Sequence, residues 1–264
     1  MRGILIAFIV AVSFHGSAAA ATSTCLAVAD SGDMVHRAAY REAARDGGDV
    51  SITYVGHSAF RISSPGGTTI VTDYNGYSGD GPLPDAVTMN HAHATHYTDF
   101  PDPAITHVLR GWNSDGDEPA RHQLELGDML IRNVTTDLYL EGALLEKDGN
   151  SIFIFETAGL CIGHLGHLHH RLTPQHIAAI GRIDILFVPV DGTYTMSLDG
   201  MIELAGQLRS SIVIPMHWFS TYTLQRFLSG MQERFSINLM PERTTTVSLE
   251  TLPDRPEVRV LPAY

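Results

Sequence analysis

The sequence predicts an α/β fold in which two sheets pack together with helices on the outside. Two observations carry that reading. The first half of the mature chain is a series of short strands parted by turns, and the last third alternates apolar strands with helices. A third is bulk. With 264 residues and 44% hydrophobic content, the chain can bury one sizeable core.

Residues 1–21 stand apart from that fold. Arg2 gives a positive start, Gly3–Phe14 an apolar run, and Gly16-Ser17-Ala18-Ala19-Ala20-Ala21 small-residue cleavage sites. This is the layout of a secretory signal peptide. The run falls short of the about 20 residues of a membrane-spanning helix, so no stable membrane insertion is expected after cleavage. The expectation is an exported protein, periplasmic in a Gram-negative host. Residues 22–49 read as an N-terminal helical extension, with a helix over Met34–Asp46 ended by Gly47-Gly48, and residues 50–264 as the main domain.

Within the domain, Val50–Val55, Ala59–Ser63, Thr68–Thr72 and Ala86–Met89 read as strands, with Pro65-Gly66-Gly67 as a turn. Met129–Val134, Ser151–Glu156 and Leu160–Gly163 follow, and Asp148-Gly149-Asn150 is a turn signal before the middle one. Thr173 caps a helix over Pro174–Ile180, which Gly181 ends. Asp184–Val190 is apolar throughout, as a strand buried on both faces must be. A helix over Leu198–Leu208, a strand over Ser211–Met216 and a helix over Leu224–Phe235 continue the alternation. Short strands around Thr245–Leu249 and Val258–Leu261 close the chain.

Charge and cysteine content exclude several functions. Asp and Glu number 29 against 17 Lys and Arg, a net charge of −12, which lacks the basic footprint of non-specific nucleic-acid binding. Two cysteines make neither a zinc ribbon nor a disulfide scaffold. Export permits a Cys25–Cys161 disulfide, but Cys161 sits in an apolar strand, where a buried free thiol is the expected state.

Histidine is the informative residue. Seven of the 14 fall in two windows, Asn90-His91-Ala92-His93-Ala94-Thr95-His96 and His164-Leu165-Gly166-His167-Leu168-His169-His170. Another, His217, follows Ile214-Pro215-Met216. All three segments begin where a strand ends, so their imidazoles can converge at one edge of the sheets. Neutral imidazole is the common nitrogen ligand of zinc. Three histidines as close as His91, His93 and His96 carry a desolvation and repulsion cost that a bound metal removes. Isolated ones such as His36, His107, His122 and His176 read as ordinary surface or hydrogen-bonded side chains.

At these residues the chain resembles the metallo-β-lactamase superfamily, and within it the ascorbate-6-phosphate lactonase-like branch of zinc hydrolases. The resemblance runs from about Val50 to about Ser220. It rests on Ile52–Phe60 with its Gly56-His57-Ser58 element, Ile70-Val71-Thr72-Asp73, the His91–His96 motif, His164-Leu165-Gly166-His167, Pro189–Met196 and Ile214-Pro215-Met216-His217. It implies a four-layer αββα sandwich with metal at one edge. It further implies that His91, His93, His96, His167 and His217 are metal ligands, that Asp73 braces the metal loop, and that His57 and Tyr194 line the substrate side.

The departures from that pattern matter. Thr95 stands where the family has aspartate, His167 where it has a bridging aspartate, and no histidine lies near Asn133–Asp137, leaving Asp137 as the available replacement. Two carboxylates fewer leave a pair of divalent cations poorly neutralised, so one zinc per chain is expected. The expected activity is hydrolysis of a small-molecule ester, lactone or phosphoester by metal-activated water, with His167 as base and Thr95 a neutral neighbour. The alternative is a catalytically lapsed relative that binds a metal or small ligand. The loops Asn75–Pro84 and Gly111–Pro119 are the expected substrate pocket.

Overall fold

The computed structural model describes residues 23–26, 47–113 and 118–263. The expected signal peptide and most of the expected helical extension, including the helix over Met34–Asp46, lie outside the described residues.

Two sheets form the body. Strands β1 (Val50–Gly56), β2 (Ala59–Ser63), β3 (Thr69–Val71), β4 (Ala86–Met89) and β5 (His107–Arg110) build most of the first. Strands β6 (Gln123–Leu126), β7 (Met129–Leu140), β8 (Ala143–Thr157) and β9 (Leu160–His164) begin the second. Helix α1 (Pro174–Ile180), β10 (Ile185–Pro189), α2 (Leu198–Leu208), β11 (Ile212–Met216) and α3 (Thr221–Met231) then alternate, and β12 (Ser236–Leu239), β13 (Thr244–Val247) and β14 (Glu257–Val260) finish the chain. The six-stranded sheet runs β13-β1-β2-β3-β4-β5 and the eight-stranded sheet β12-β14-β11-β10-β9-β8-β7-β6.

Side-chain alternation explains the layering. Phe153, Phe155 and Phe187 point between the sheets, where Phe187 stacks on Phe60 with ring centroids 4.1 Å apart. Their neighbours Ile152, Ile154, Leu186 and Val188 point the other way, onto Met201 and Leu204 of α2 and Phe227 of α3. Strand segments buried on both faces must be apolar, as Ile152–Phe155 of β8 and Ile185–Pro189 of β10 are. On the outer face of the six-stranded sheet, Val71, Val87 and Met89 pack beneath Tyr74 and Ile105.

Parallel pairing sets the site. β3 and β4 run parallel, as do β9, β10 and β11. Their carboxyl ends release Asp73, the His91–His96 loop, the His164–His167 turn, Asp191 and His217 at one edge, where α/β sheets place ligands.

Three expectations are corrected. Asp148-Gly149-Asn150 is no turn: it lies inside β8, where a bulge with Asp148 at φ 54° absorbs it, and the chain reverses at Glu141-Gly142 (φ 50° and 83°). β5, β6 and β12 are four-residue strands whose mixed polarity gave no signal. Cys25 and Cys161 are joined in a disulfide rather than free, with Cα atoms 5.9 Å apart. The segment bearing Cys25 is held there by Glu156, whose carboxylate accepts from Ser23 Oγ at 2.6 Å and Thr24 N–H at 2.8 Å and pairs with Arg132 at 2.7 Å.

Candidate metal centre

The two histidine windows and His217 meet. The His167 ring centroid lies 4.9 Å from His96, 5.3 Å from His91 and 5.3 Å from His217, and His96 lies 5.1 Å from His217. His93 joins at 5.8 Å from His96. His57 packs against the same pair, 4.3 Å from His217 and 5.0 Å from His96. Ring nitrogens of His57, His96 and His217 all lie within 4.8 Å of one another.

Two carboxylates aim the central rings. Asp73 Oδ2 lies 2.5 Å from His96 Nδ1, and Asp191 Oδ1 lies 2.9 Å from His217 Nδ1. All four side chains are buried. A carboxylate on Nδ1 fixes the proton there and leaves the Nε2 lone pair free, the arrangement that orients metal-ligating histidines. His96 Nε2 and His57 Nε2 are buried with no hydrogen-bond partner among the described residues. A buried polar atom without a partner is costly, and a cation would satisfy both. The donor set is nitrogen only, which suits zinc, copper, iron or nickel.

His167 is aimed differently. Its Nδ1 lies 2.8 Å from His169 Nε2, and His169 Nδ1 lies 2.6 Å from the Tyr139 carbonyl. The Tyr139 N–H also lies 3.2 Å from His169 Nδ1, but the carbonyl contact is the shorter and places the proton on that nitrogen. His169 Nε2 therefore accepts from His167 Nδ1, and His167 Nε2 carries a free lone pair. The turn below is fixed by Asn150, whose Oδ1 accepts from His167 N–H at 2.7 Å. Gly166 takes φ 60° here, and a Cβ on it would collide with Asn150 Oδ1 and Asn90 Nδ2. His164 is occupied structurally: Nε2 donates to the Ser58 carbonyl at 2.7 Å, and Nδ1 accepts from Gly166 N–H at 3.0 Å.

Burial keeps His57, His91 and His167 neutral. Burial, then the neighbouring His217 and His96, push His57 down to about 4. Burial and the same two neighbours, His96 first, push His167 to about 2. Burial also takes His91 to about 4, although its contact with the Gly149 carbonyl opposes the change. Burial would raise the Asp73 carboxyl, but the charge and hydrogen bond of His96 outweigh it and hold it at about 2. Asp191 is held well below the usual carboxylate range in the same way, by His217, Thr195 and the Thr193 N–H against the effect of burial. Ionised carboxylates behind His96 and His217 favour a cation at the Nε2 side of those rings.

The remaining predicted residues fall in distinct places. Thr95 is exposed on the cavity wall, its hydroxyl 3.0 Å from His93 Nδ1. Tyr194 also lines the cavity, whereas His57 sits behind the wall among the histidines. Asp137 uses its carboxylate to accept from Asp148 N–H at 2.9 Å within the β7–β8 hairpin. The cavity, about 1410 Å³, is lined by the tip of that hairpin, Thr193–Thr195 and the start of α3. No described residue of the expected pocket loops, Asn75–Pro84 and Gly111–Pro119, lines it, because the hairpin extends past β9 over the histidines instead. Asp191 and Asn150 carry functional positioning that the sequence reading did not assign. The continuous apolar run ending at Asp191, matching the one that ends at His217, was the available signal for the first.

Residues 51–217 match the beta-lactamase superfamily domain. The chain belongs to the metallo-β-lactamase superfamily. Among relatives within it, a protein of Methanoculleus marisnigri named a UPF0173 metal-dependent hydrolase is 26% identical over 226 residues, 80% of this chain and 97% of its own length. A superfamily crystal structure from Thermotoga maritima, described as that of a candidate zinc-dependent hydrolase, is 29% identical. It superposes with a TM-score of 0.57 over 80% of this chain and 98% of its own. A Parabacteroides distasonis structure shares the fold at TM-score 0.59 and 16% identity, over 82% and 94% of the two chains. The superfamily's two-sheet α/β fold, expected from the sequence, is present.

Proposed function

We propose that the protein is a hydrolase that works through one zinc ion per chain. The observation that carries this reading is the pair of carboxylate-aimed rings, His96 and His217, with the unpartnered Nε2 of His96 and of His57 buried beside them. His57, His96 and His217 would hold the ion, and His167 faces the same centre. When bound, zinc supplies Lewis acidity at the scissile group and activates water near neutral pH.

The chain's own residues do the rest. Asp73 and Asp191 keep the two central imidazoles in the ligating tautomer and offset the positive charge from behind. His167, with its Nδ1 directed at His169, presents its Nε2 lone pair as a hydrogen-bond acceptor that orients the attacking water. Thr95 contributes no charge, which supports a single ion. The metal-dependent hydrolases among the relatives support the reaction class. The disulfide supports export through the signal peptide read at residues 1–21, since such bonds persist in oxidising compartments.

Elemental analysis of the purified mature protein tests the reading, together with turnover of small esters before and after chelation. About one zinc per chain and loss of turnover on chelation are expected. Absence of metal, or turnover indifferent to chelation, overturns it. Metal without turnover on any ester, lactone or phosphoester would favour a lapsed relative that only binds.

A further inference from the structure

The cavity over the histidines has walls of unusual character for a site that handles small polar substrates. At about 1410 Å³ it exceeds the roughly 300–1,000 Å³ of common small-ligand pockets. Its charged lining residues are Glu141 and Asp191, and no described lysine or arginine lines it. Phosphate and sulfate groups would therefore meet the Glu141 carboxylate and no described guanidinium or ammonium, on a chain of net charge −12.

Its rim, by contrast, is apolar. Leu140 and Leu145 of the β7–β8 hairpin are 62% and 63% exposed, and Tyr194 and Phe219 are 65% and 62% exposed. Phe219 and Tyr194 meet edge to face at 5.6 Å, and Phe219 also lies 5.0 Å from His217 and 5.7 Å from His57. The apolar surface is thus continuous with the metal centre. Large apolar side chains exposed together around a cavity mark a surface that something covers.

We propose that the substrate is an uncharged ester or lactone carrying a long apolar chain, which lies between the hairpin tip and the Tyr194–Phe219 pair. The proposal rests on the hydrolase reading for the reaction, and on the cavity wall alone for the chain. Two measurements separate these. The first is turnover of p-nitrophenyl esters from acetate to decanoate by the zinc-loaded protein. Burying methylenes on this rim should raise kcat/KM by about tenfold or more across the series. In the Leu145→Ser/Phe219→Ser chain the decanoate-to-acetate ratio should fall towards one. The second uses the metal-free protein. A neutral probe, N-phenyl-1-naphthylamine, should bind with enhanced fluorescence, be displaced by 1-decanol, and lose affinity in the same double variant.

A flat ester series, or preference for the anionic bis(p-nitrophenyl) phosphate, overturns the proposal while leaving a hydrolase. Probe binding lost in the double variant, with no ester turned over, upholds the apolar groove and removes the hydrolase reading instead. A dimer in sedimentation that the double variant dissociates would assign the surface to a second copy of the chain and overturn the proposal.

Discussion

Asp191 closes the end of β10 and holds His217, at the end of β11, by an Oδ1···Nδ1 contact of 2.9 Å. The two strands are parallel neighbours with Pro189 paired to Met216, so their carboxyl ends necessarily bring these two side chains together. The other Asp191 oxygen accepts from the N–H groups of Thr193 and Tyr194 at 2.8 and 2.6 Å. The carboxylate is therefore fixed by its own loop before it meets the imidazole. Asp73 does the same for His96 from the neighbouring sheet.

Replacing either carboxylate should weaken zinc binding without removing a ligand. Asp73→Asn and Asp191→Asn each keep the shape but permit the wrong imidazole tautomer. Zinc affinity should fall about 10–100-fold in each, read by competition with a chromophoric chelator. Asp191→Asn should also loosen Thr193–Thr195, since an amide accepts through one oxygen only. Unchanged affinity in both would mean that the rings are not aimed at a metal.

Substitution of the rings separates two possible ligand sets. His96→Ala, His217→Ala and His57→Ala should each lose most of the zinc, because their nitrogens approach within 4.8 Å of one another. His93→Ala should retain it, as His93 is exposed and its Nδ1 contacts Thr95. His122→Ala and His176→Ala serve as controls. His122 bonds the Arg110 carbonyl at 2.6 Å, and His176 completes the capping box of α1. Loss of zinc in His93→Ala with retention in His57→Ala would move the centre to the mouth of the cavity.

The fold of the described residues was largely legible because most of its strands are either β-branched and alternating or apolar where they are covered. The convergence of His96, His167 and His217 followed from one rule, that each stands just past a strand. What was not legible are contacts across the β7–β8 hairpin. Asn150 acts on His167 through the His167 backbone amide, and that contact leaves no local pattern. The bulge at Asp148 disguises the strand that carries Asn150, and with it the hairpin that walls the cavity.

Acid should destabilise the metal-free protein over a defined window. His57 and His91 sit at about 4 in the folded chain against an ordinary 6.5. Between those values the unfolded chain takes up protons that the folded chain does not, so stability falls as pH falls from about 6.5 to about 4. Urea midpoints measured from about pH 7.5 to about pH 4.5 should decline below pH 6.5 and be level above it. His57→Gln should make the decline shallower. A midpoint independent of pH through that window would show that these rings titrate normally.

The number of metal ions should be set by the number of carboxylates. Thr95 lies exposed on the cavity wall, next to His93, and His167 lies between His91 and His96 at 5.3 and 4.9 Å. Thr95→Asp with His167→Asp places two negative charges among the clustered histidine rings. Two carboxylates offset the charge of one additional divalent cation, and the shorter aspartate at 167 leaves space beside His91 and His93 for it. The double variant should therefore take up a second zinc, counted by elemental analysis against the parent's one. The single Thr95→Asp variant should not, because one added charge leaves the pair of cations under-neutralised. If the double variant still holds one zinc, ligand charge is not what limits this centre, and the missing histidine near Asn133–Asp137 becomes the limiting feature.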